Sequence, residues 1–380
     1  MLSDKMGSNL QSSNFEAINM TLLWSLSGFI LTVLRKDTKL KATFLTKAYE
    51  FKEIEVDEPK ISKPDDVIIN VKYVGICGTD MVSYQGKHEL LTFPRVLGHE
   101  FSGIVEEIGN GVKNVQPGDY VTVEPLVTCG VCKPCCTGDY NVCEDMKVLG
   151  VHVDGACQEK IVIDANRVFK IPQGMSLKEG ALIEPLCVGL EISRRGQLSI
   201  EDTVVIFGAG VIGLCVLKVA KCIRARKIIS VDISDDKLKM AKGMGADYVI
   251  NSAKDNVEQV VAEITDGKGA SLVIEASGAE EAIKTCWTVT AYRGRMVIIG
   301  FYKSPLVQIP PIHIVKKELD IYGSRLYRNR FPLAIDLLAK KEVVLLDLIS
   351  HEFPFNQIDL AMKTALNPAE KSLKVIIAKD

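Results

Sequence analysis

Thr203-Val204-Val205-Ile206-Phe207-Gly208-Ala209-Gly210-Val211-Ile212-Gly213 decides how the second half of this chain folds. An apolar run reads as a buried strand, and G-x-G-x-x-G then opens an apolar-periodic helix that reaches about Lys221. The glycine string alone is a weak signal; the strand before it and the helix after it give it meaning. Gly208, Gly210 and Gly213 permit a tight turn, close approach of backbone to a pyrophosphate and close helix packing. The helix N-terminus adds N–H groups that favour an anion. Asp232, at the tip of the next strand, is placed to accept hydrogen bonds from ribose hydroxyls. A carboxylate there repels a 2′-phosphate, and Ile233 rather than Arg follows it, so the expected cofactor is NAD rather than NADP. Ile212 within the turn, and Ser277 and Gly300 close to later strands, complete the candidate cofactor contacts. Those strands, Leu272–Ala276 and Met296–Gly300, alternate with helices, which predicts a doubly wound parallel sheet.

Upstream the rhythm differs. From Lys41 to about Glu184, short strands such as Val67–Val74 and Tyr120–Val123 are separated by turns of the Pro117-Gly118-Asp119 kind, which predicts a β-rich body. Within it stands Cys129-Gly130-Val131-Cys132-Lys133-Pro134-Cys135-Cys136, followed by Cys143. Cys129, Cys132, Cys135 and Cys143 fall in a C-x2-C-x2-C-x7-C spacing, which lets four sulfurs converge on one Zn2+. Four thiolates leave no open position, so such a site is structural. Cys136 is the alternative third ligand; spacing favours Cys135. Eleven cysteines, an odd number, without a cleavable secretory signal fit a disulfide framework poorly. Free thiols beside a zinc cluster point to a reducing compartment, and the expected location is cytoplasmic.

At 380 residues the chain is long enough for two domains, and its 47% apolar and 25% charged content is that of a folded protein. A net charge of −2 without a basic block excludes a nucleic-acid partner or an anionic membrane surface as the default expectation. Ile18 to Leu34 is apolar and borderline in length for a membrane span. It reads as an anchor, as a helix lying on the protein, or as translated upstream sequence with the native start nearer Lys41. The last reading is favoured, because an ordinary domain start follows, and no membrane association is expected.

Two further pieces carry chemistry. Cys77-Gly78-Thr79-Asp80 and Gly98-His99-Glu100, with Gly103, Gly109 and Val112 following, bring a thiol, an imidazole and a carboxylate; Glu184-Pro185 adds a second carboxylate. These are the ligand types of an open, catalytic zinc. With them the chain resembles the zinc-containing medium-chain alcohol dehydrogenases, in the polyol and sugar-acid branch that holds sorbitol, L-threonine and L-galactonate or L-gulonate dehydrogenases. The similarity runs from about Lys41 to Asp380. It implies a GroES-like catalytic domain built from residues 41–186 and 325–380, a Rossmann domain over 187–324, and an extension of uncertain status over 1–40. It implies catalytic zinc at Cys77 and His99, with Glu100 and Glu184 as direct or exchanging ligands, and structural zinc at the four-cysteine loop. Thr79 fits the family's proton-relay position. The relay histidine of many relatives is replaced here by Val82, so proton exit must use water, the ribose or another residue, with His88 a candidate.

Substrate is the open question. Arg325, Arg328 and Arg330 lie where the chain is expected to return to the cleft. A guanidinium pairs bidentately with a carboxylate, which suits an aldonate better than a neutral polyol, although a cofactor pyrophosphate is an equally good partner. Tyr327 and His152 are candidates to bond substrate hydroxyls. The expected reaction is hydride transfer from a secondary alcohol to NAD, with L-gulonate or L-galactonate as best substrate. Sorbitol or L-iditol, then L-threonine or 2,3-butanediol, are the alternatives within the class. A non-enzymatic zinc and NAD-binding sensor is the alternative outside it, and a nucleic-acid-binding zinc ribbon finds no basic surroundings. The resemblance suggests a homodimer or homotetramer.

Overall fold

The computed structural model describes residues 39–300, 302 and 306–379. The apolar run Ile18–Leu34 therefore lies outside the described residues. Among those residues, no helix is long and apolar enough to cross a membrane.

The β-rich body is built on β1 (Asp66–Gly75), β2 (Glu100–Ile108), β3 (Tyr120–Val123), β4 (Lys160–Asp164) and β5 (Val168–Lys170). Between β1 and β2 sits α1 (Gly78–Tyr84), whose first turn carries Thr79. Val67, Ile69, Val71 and Val74 of β1 are all buried, and the strand pairs antiparallel with β2 on one side and β4 on the other. Register shifts at Ile68/Ile69 and Val71/Tyr73 bend that β1–β2 ladder. α2 (Ile183–Arg195) then carries the chain away, and nearly all of its residues are buried.

The second sheet is parallel throughout: β6 (Thr203–Phe207), β7 (Lys227–Asp232), β8 (Tyr248–Asn251), β9 (Ala270–Glu275), β10 (Thr290–Ile298) and β11 (Asp320–Gly323), in the order β8-β7-β6-β9-β10-β11. The order reverses at β6, so the crevice beyond β6 and β9 is the switch point where such sheets take ligands. α3 (Val211–Ile223) follows the glycine turn, and its apolar face packs under the sheet. Sequence reading had four of these strands. The short β8 and β11 were passed over, and the strand expected from Met296 begins at Thr290 and ends at Ile298.

After α4 (Phe331–Ala339) the chain returns to the first sheet as β12 (Ile349–Pro354) and β13 (Lys374–Ala378). β13 pairs antiparallel with β1 and completes the path β5-β3-β2-β1-β13-β12. One core cluster joins the two halves: Leu126, Cys143 and Met146 pack with Leu186, Val204 and Phe331 around α2.

Candidate active site

Three strands in register make the centre. Gly75 lies opposite Glu100 on β2 and opposite Ile376 on β13. Glycine is required there by space, since a Cβ would stand 2.4 Å from Glu100 Oε2. Cys77 follows the end of β1 and His99 precedes β2, so neighbouring strand ends deliver both. One ligand atom each from Cys77, His99 and Glu100 lies within 4.8 Å of the others.

Their surroundings are those of a cation site. His99 is 6% exposed and its Nδ1 has no hydrogen-bond partner, standing 3.6 Å from Asp80 Oδ1. Burial pulls the imidazolium down, but the negative charges of Asp80 and Cys77 outweigh it and lift His99 well above its usual range. Glu184, in the first turn of α2, is buried beside them but is not one of the three converging donors. Burial, and then the charge of Glu100, push its carboxyl up to about 7. A thiol, an imidazole and carboxylates gathered out of water thus fit Zn2+ by donor type and by excess negative charge.

Two residues of this centre had no assigned role from sequence. Asp80 accepts from Cys77 N at 2.9 Å and Gly98 N at 3.4 Å, so one carboxylate caps α1 and faces the imidazole. The quoted Cys-Gly-Thr-Asp string contained it, three positions after a ligand candidate. Lys374, 2% exposed, donates from Nζ to Glu100 Oε2 at 2.5 Å and to Ile76 O at 3.1 Å. Nothing local marks it in the sequence, because only the β13–β1 pairing brings it there.

Thr79 is half-buried on the first turn of α1. Val82, which replaces the relay histidine, is exposed. His88 is half-buried and close enough to Asp80 and His99 to feel their charges; burial chiefly holds its pKa down.

The cysteine loop closes on itself. Cys129, Cys132, Cys135 and Cys143 form a second cluster with all four sulfurs within 4.8 Å, the Cys129–Cys135 and Cys132–Cys143 pairs being 3.9 and 3.8 Å apart. Backbone N–H groups of Val131 and Cys132 hold the Cys129 thiol down at about 6, toward the thiolate that binds metal. Cys136 is exposed, with Sγ 3.5 Å from Val131 O, outside the cluster. This donor set fits a closed zinc site.

The dinucleotide crevice has the required shape. Gly208 adopts φ +97°, and a Cβ on Gly213 would lie 1.8 Å from Gly208 O, so both positions need glycine. A Cβ on Gly210 would meet nothing within 4 Å, leaving the turn's outer face clear, as a pyrophosphate cradle requires. Asp232 ends β7 with Oδ2 accepting from Ala209 N at 2.8 Å and Oδ1 from Ser234 N at 2.9 Å, which ties the ribose position to the glycine turn. Ile212 stands in the first turn of α3, half-buried. Ser277 and Gly300 close the far side around Glu275. That fully buried carboxylate accepts from Ser277 N at 2.8 Å, Gly278 N at 3.0 Å and Tyr302 Oη at 2.6 Å. A Cβ on Gly300 would collide with it at 2.4 Å.

The substrate-side expectations separate. Arg328 is paired with Asp139, and Arg330 Nε lies 3.2 Å from Glu191 Oε2, so both are committed within the protein. Arg325 is exposed, and its guanidinium has no ion-pair partner among the described residues. Tyr327 is fully buried, edge-on to Phe331 at 5.7 Å, with its hydroxyl unpartnered and close to Glu184, whose charge adds to burial in raising the phenol. His152 is half-buried, with Nδ1 accepting from Val148 N at 3.1 Å. Burial, then the charges of His88, Arg325 and Arg95, lower its pKa. Arg95 itself pairs with Asp154 at 3.0 Å.

Comparison with known proteins agrees with this arrangement. Residues 63–173 match the alcohol dehydrogenase GroES-like domain, and residues 211–340 match the zinc-binding dehydrogenase family. The chain is 35% identical over 328 residues to Starvation-sensing protein RspB of Escherichia coli K12, covering 86% of this chain and 96% of that one. It is 38% identical to a probable D-xylulose reductase A of Aspergillus clavatus (84% and 91% covered) and 35% identical to L-idonate 5-dehydrogenase of Vitis vinifera (78% and 83%). The structure of rspB from E. coli CFT073, complexed with NADH, superposes with a TM-score of 0.85 at 34% identity over 90% of this chain and 99% of that one.

Proposed function

This chain belongs to the zinc-type medium-chain alcohol dehydrogenases, zinc- and NAD-dependent oxidoreductases, and we propose that within them it oxidises a secondary hydroxyl of a sugar acid, with L-gulonate or L-galactonate to the 5-keto acid as the reaction that fits best. The observation that carries this is Arg325, the one arginine of its segment left without an ion partner among the described residues. An unpaired guanidinium suits a carboxylate and gains nothing from a neutral polyol. One relative acts, by its name, on L-idonate, also a sugar acid.

Cys77, His99 and Glu100 would hold the catalytic Zn2+, with Glu184 in reserve. When bound, zinc supplies Lewis-acid polarisation of the substrate hydroxyl, and NAD supplies the hydride acceptor. The protein's own groups do the rest. Asp80 orients His99 and balances its charge, and Lys374 restrains Glu100. Thr79, on the first turn of α1, receives the hydroxyl proton and passes it toward solvent. Asp232 and the Gly208–Gly213 turn would hold the adenosine ribose and pyrophosphate of NAD.

Replacing Arg325 by Met tests the reading. The KM for hexonates is expected to rise by roughly 10–100-fold, the loss of one charge-assisted contact, while sorbitol turnover stays unchanged. Equal effects on both substrates would remove the carboxylate assignment.

A further inference from the structure

The four-cysteine loop is chemically closed, yet its last turn holds the segment that carries Arg325. Asn141, 9% exposed, donates from Nδ2 to Arg325 O at 2.9 Å. Asn329 N donates to Tyr140 Oη at 2.6 Å, and Tyr140 Oη donates in turn to Glu124 Oε1 at 2.9 Å. Arg328 is paired with Asp139, and its Nη1 also donates to Gly138 O at 3.4 Å. Residues 138–141 thus grip residues 325–329 at both ends and in the middle.

The gripped segment needs a grip. Leu326 and Asn329 both adopt left-handed backbone, at φ +48° and +51°. Asn takes this conformation readily, but Leu326 holds it only where neighbours over-determine it. The neighbours are the cysteine loop on one side and the buried Tyr327 and Phe331 rings on the other. Tyr140 and Asn141 lie within the short turn Tyr140–Val142 that Cys143 ends, so their placement is inherited from the sulfur cluster.

We propose that the cysteine loop is a positioning clamp for the substrate cleft: Tyr140 and Asn141 fix the backbone of residues 325–329 and thereby aim Arg325. Metal in the loop would then act on substrate affinity without touching substrate. The kinetic part of this inference rests on the sugar-acid reading; the structural part does not.

Hydrogen–deuterium exchange on the full-length, metal-loaded protein separates the two. In Tyr140→Phe, and separately in Asn141→Ala, amides of residues 325–330 should exchange about tenfold faster than in the parent. Peptides from β6, α3 and β9 should be unchanged. Stripping metal from the cysteine loop should reproduce the effect in the parent. Unchanged exchange at 325–330 in both variants would overturn the clamp, and so would equal acceleration across the whole chain, which would make Tyr140 and Asn141 general stabilisers. In the same variants the KM for hexonates should rise at constant kcat. Faster exchange with an unmoved KM would uphold the clamp and instead overturn Arg325 as the carboxylate contact.

Discussion

Asp80 gives one carboxylate two partners that must be correctly placed together. Its Oδ2 takes the Cys77 amide and its Oδ1 faces His99, so the ligand-bearing turn and the ligand-bearing strand end are set by one side chain. Asp80→Asn keeps the shape and removes the charge. The affinity of the Cys77–His99 centre for zinc should fall on the order of 10–100-fold, read by competition with a chelator, while metal in the cysteine loop stays. Equal loss from both sites would mean that Asp80 only supports the fold. Glu124 is a different case, a carboxylate that burial pushes up to about 7 despite its bond from Tyr140 and the charge of Arg167. Its folded value lies above its unfolded one, so its contribution to stability is present below about pH 4.5 and is lost as pH rises through 7. Glu124→Gln should therefore be more stable than the parent at pH 8, by about 3 kcal/mol, with the gap closing toward pH 5. A denaturant titration at both pH values reads it; a gap that widens on acidification would contradict the account.

At the scale of elements, the turn from β6 to α3 is a joint with no room for a side chain at Gly213. A Cβ at Gly213 would overlap Gly208 O, so Gly213→Ala must push α3 away from the sheet. NAD affinity, measured by calorimetry, should drop at least tenfold along with thermal stability, whereas Gly210→Ala, which meets open space, should keep the fold. Intact NAD affinity in Gly213→Ala would contradict the assigned turn. This joint was legible because strand, glycines and helix are contiguous: Thr203–Phe207 and the start of α3 at Val211 stand where the pattern put them. The four-cysteine cluster was legible for the same reason, its spacing being local. Elements defined by partners were not. β8 and β11 are four residues each, the first with two residues exposed and the second with three, too short for the pattern to single them out. Lys374 reads as an ordinary lysine in an apolar strand until β13 pairs with β1, and Arg328 and Arg330 look like Arg325 until Asp139 and Glu191 are found beside them.

Across the whole molecule, one core built around α2 joins the β-rich body to the parallel sheet. The β-rich half brings a cation site together from the ends of β1 and β2, and the parallel sheet offers a crevice at its switch point. Neither half can transfer hydride alone, which is why the account stands or falls on turnover by the intact protein. The direct measurement is NADH formation by the purified, zinc-loaded protein on L-gulonate, L-galactonate, sorbitol, L-threonine and 2,3-butanediol under one set of conditions. kcat/KM is expected to be highest for the hexonates, and NADH formation to disappear in Cys77→Ser. A higher kcat/KM for sorbitol, or undiminished turnover in Cys77→Ser, would contradict that expectation.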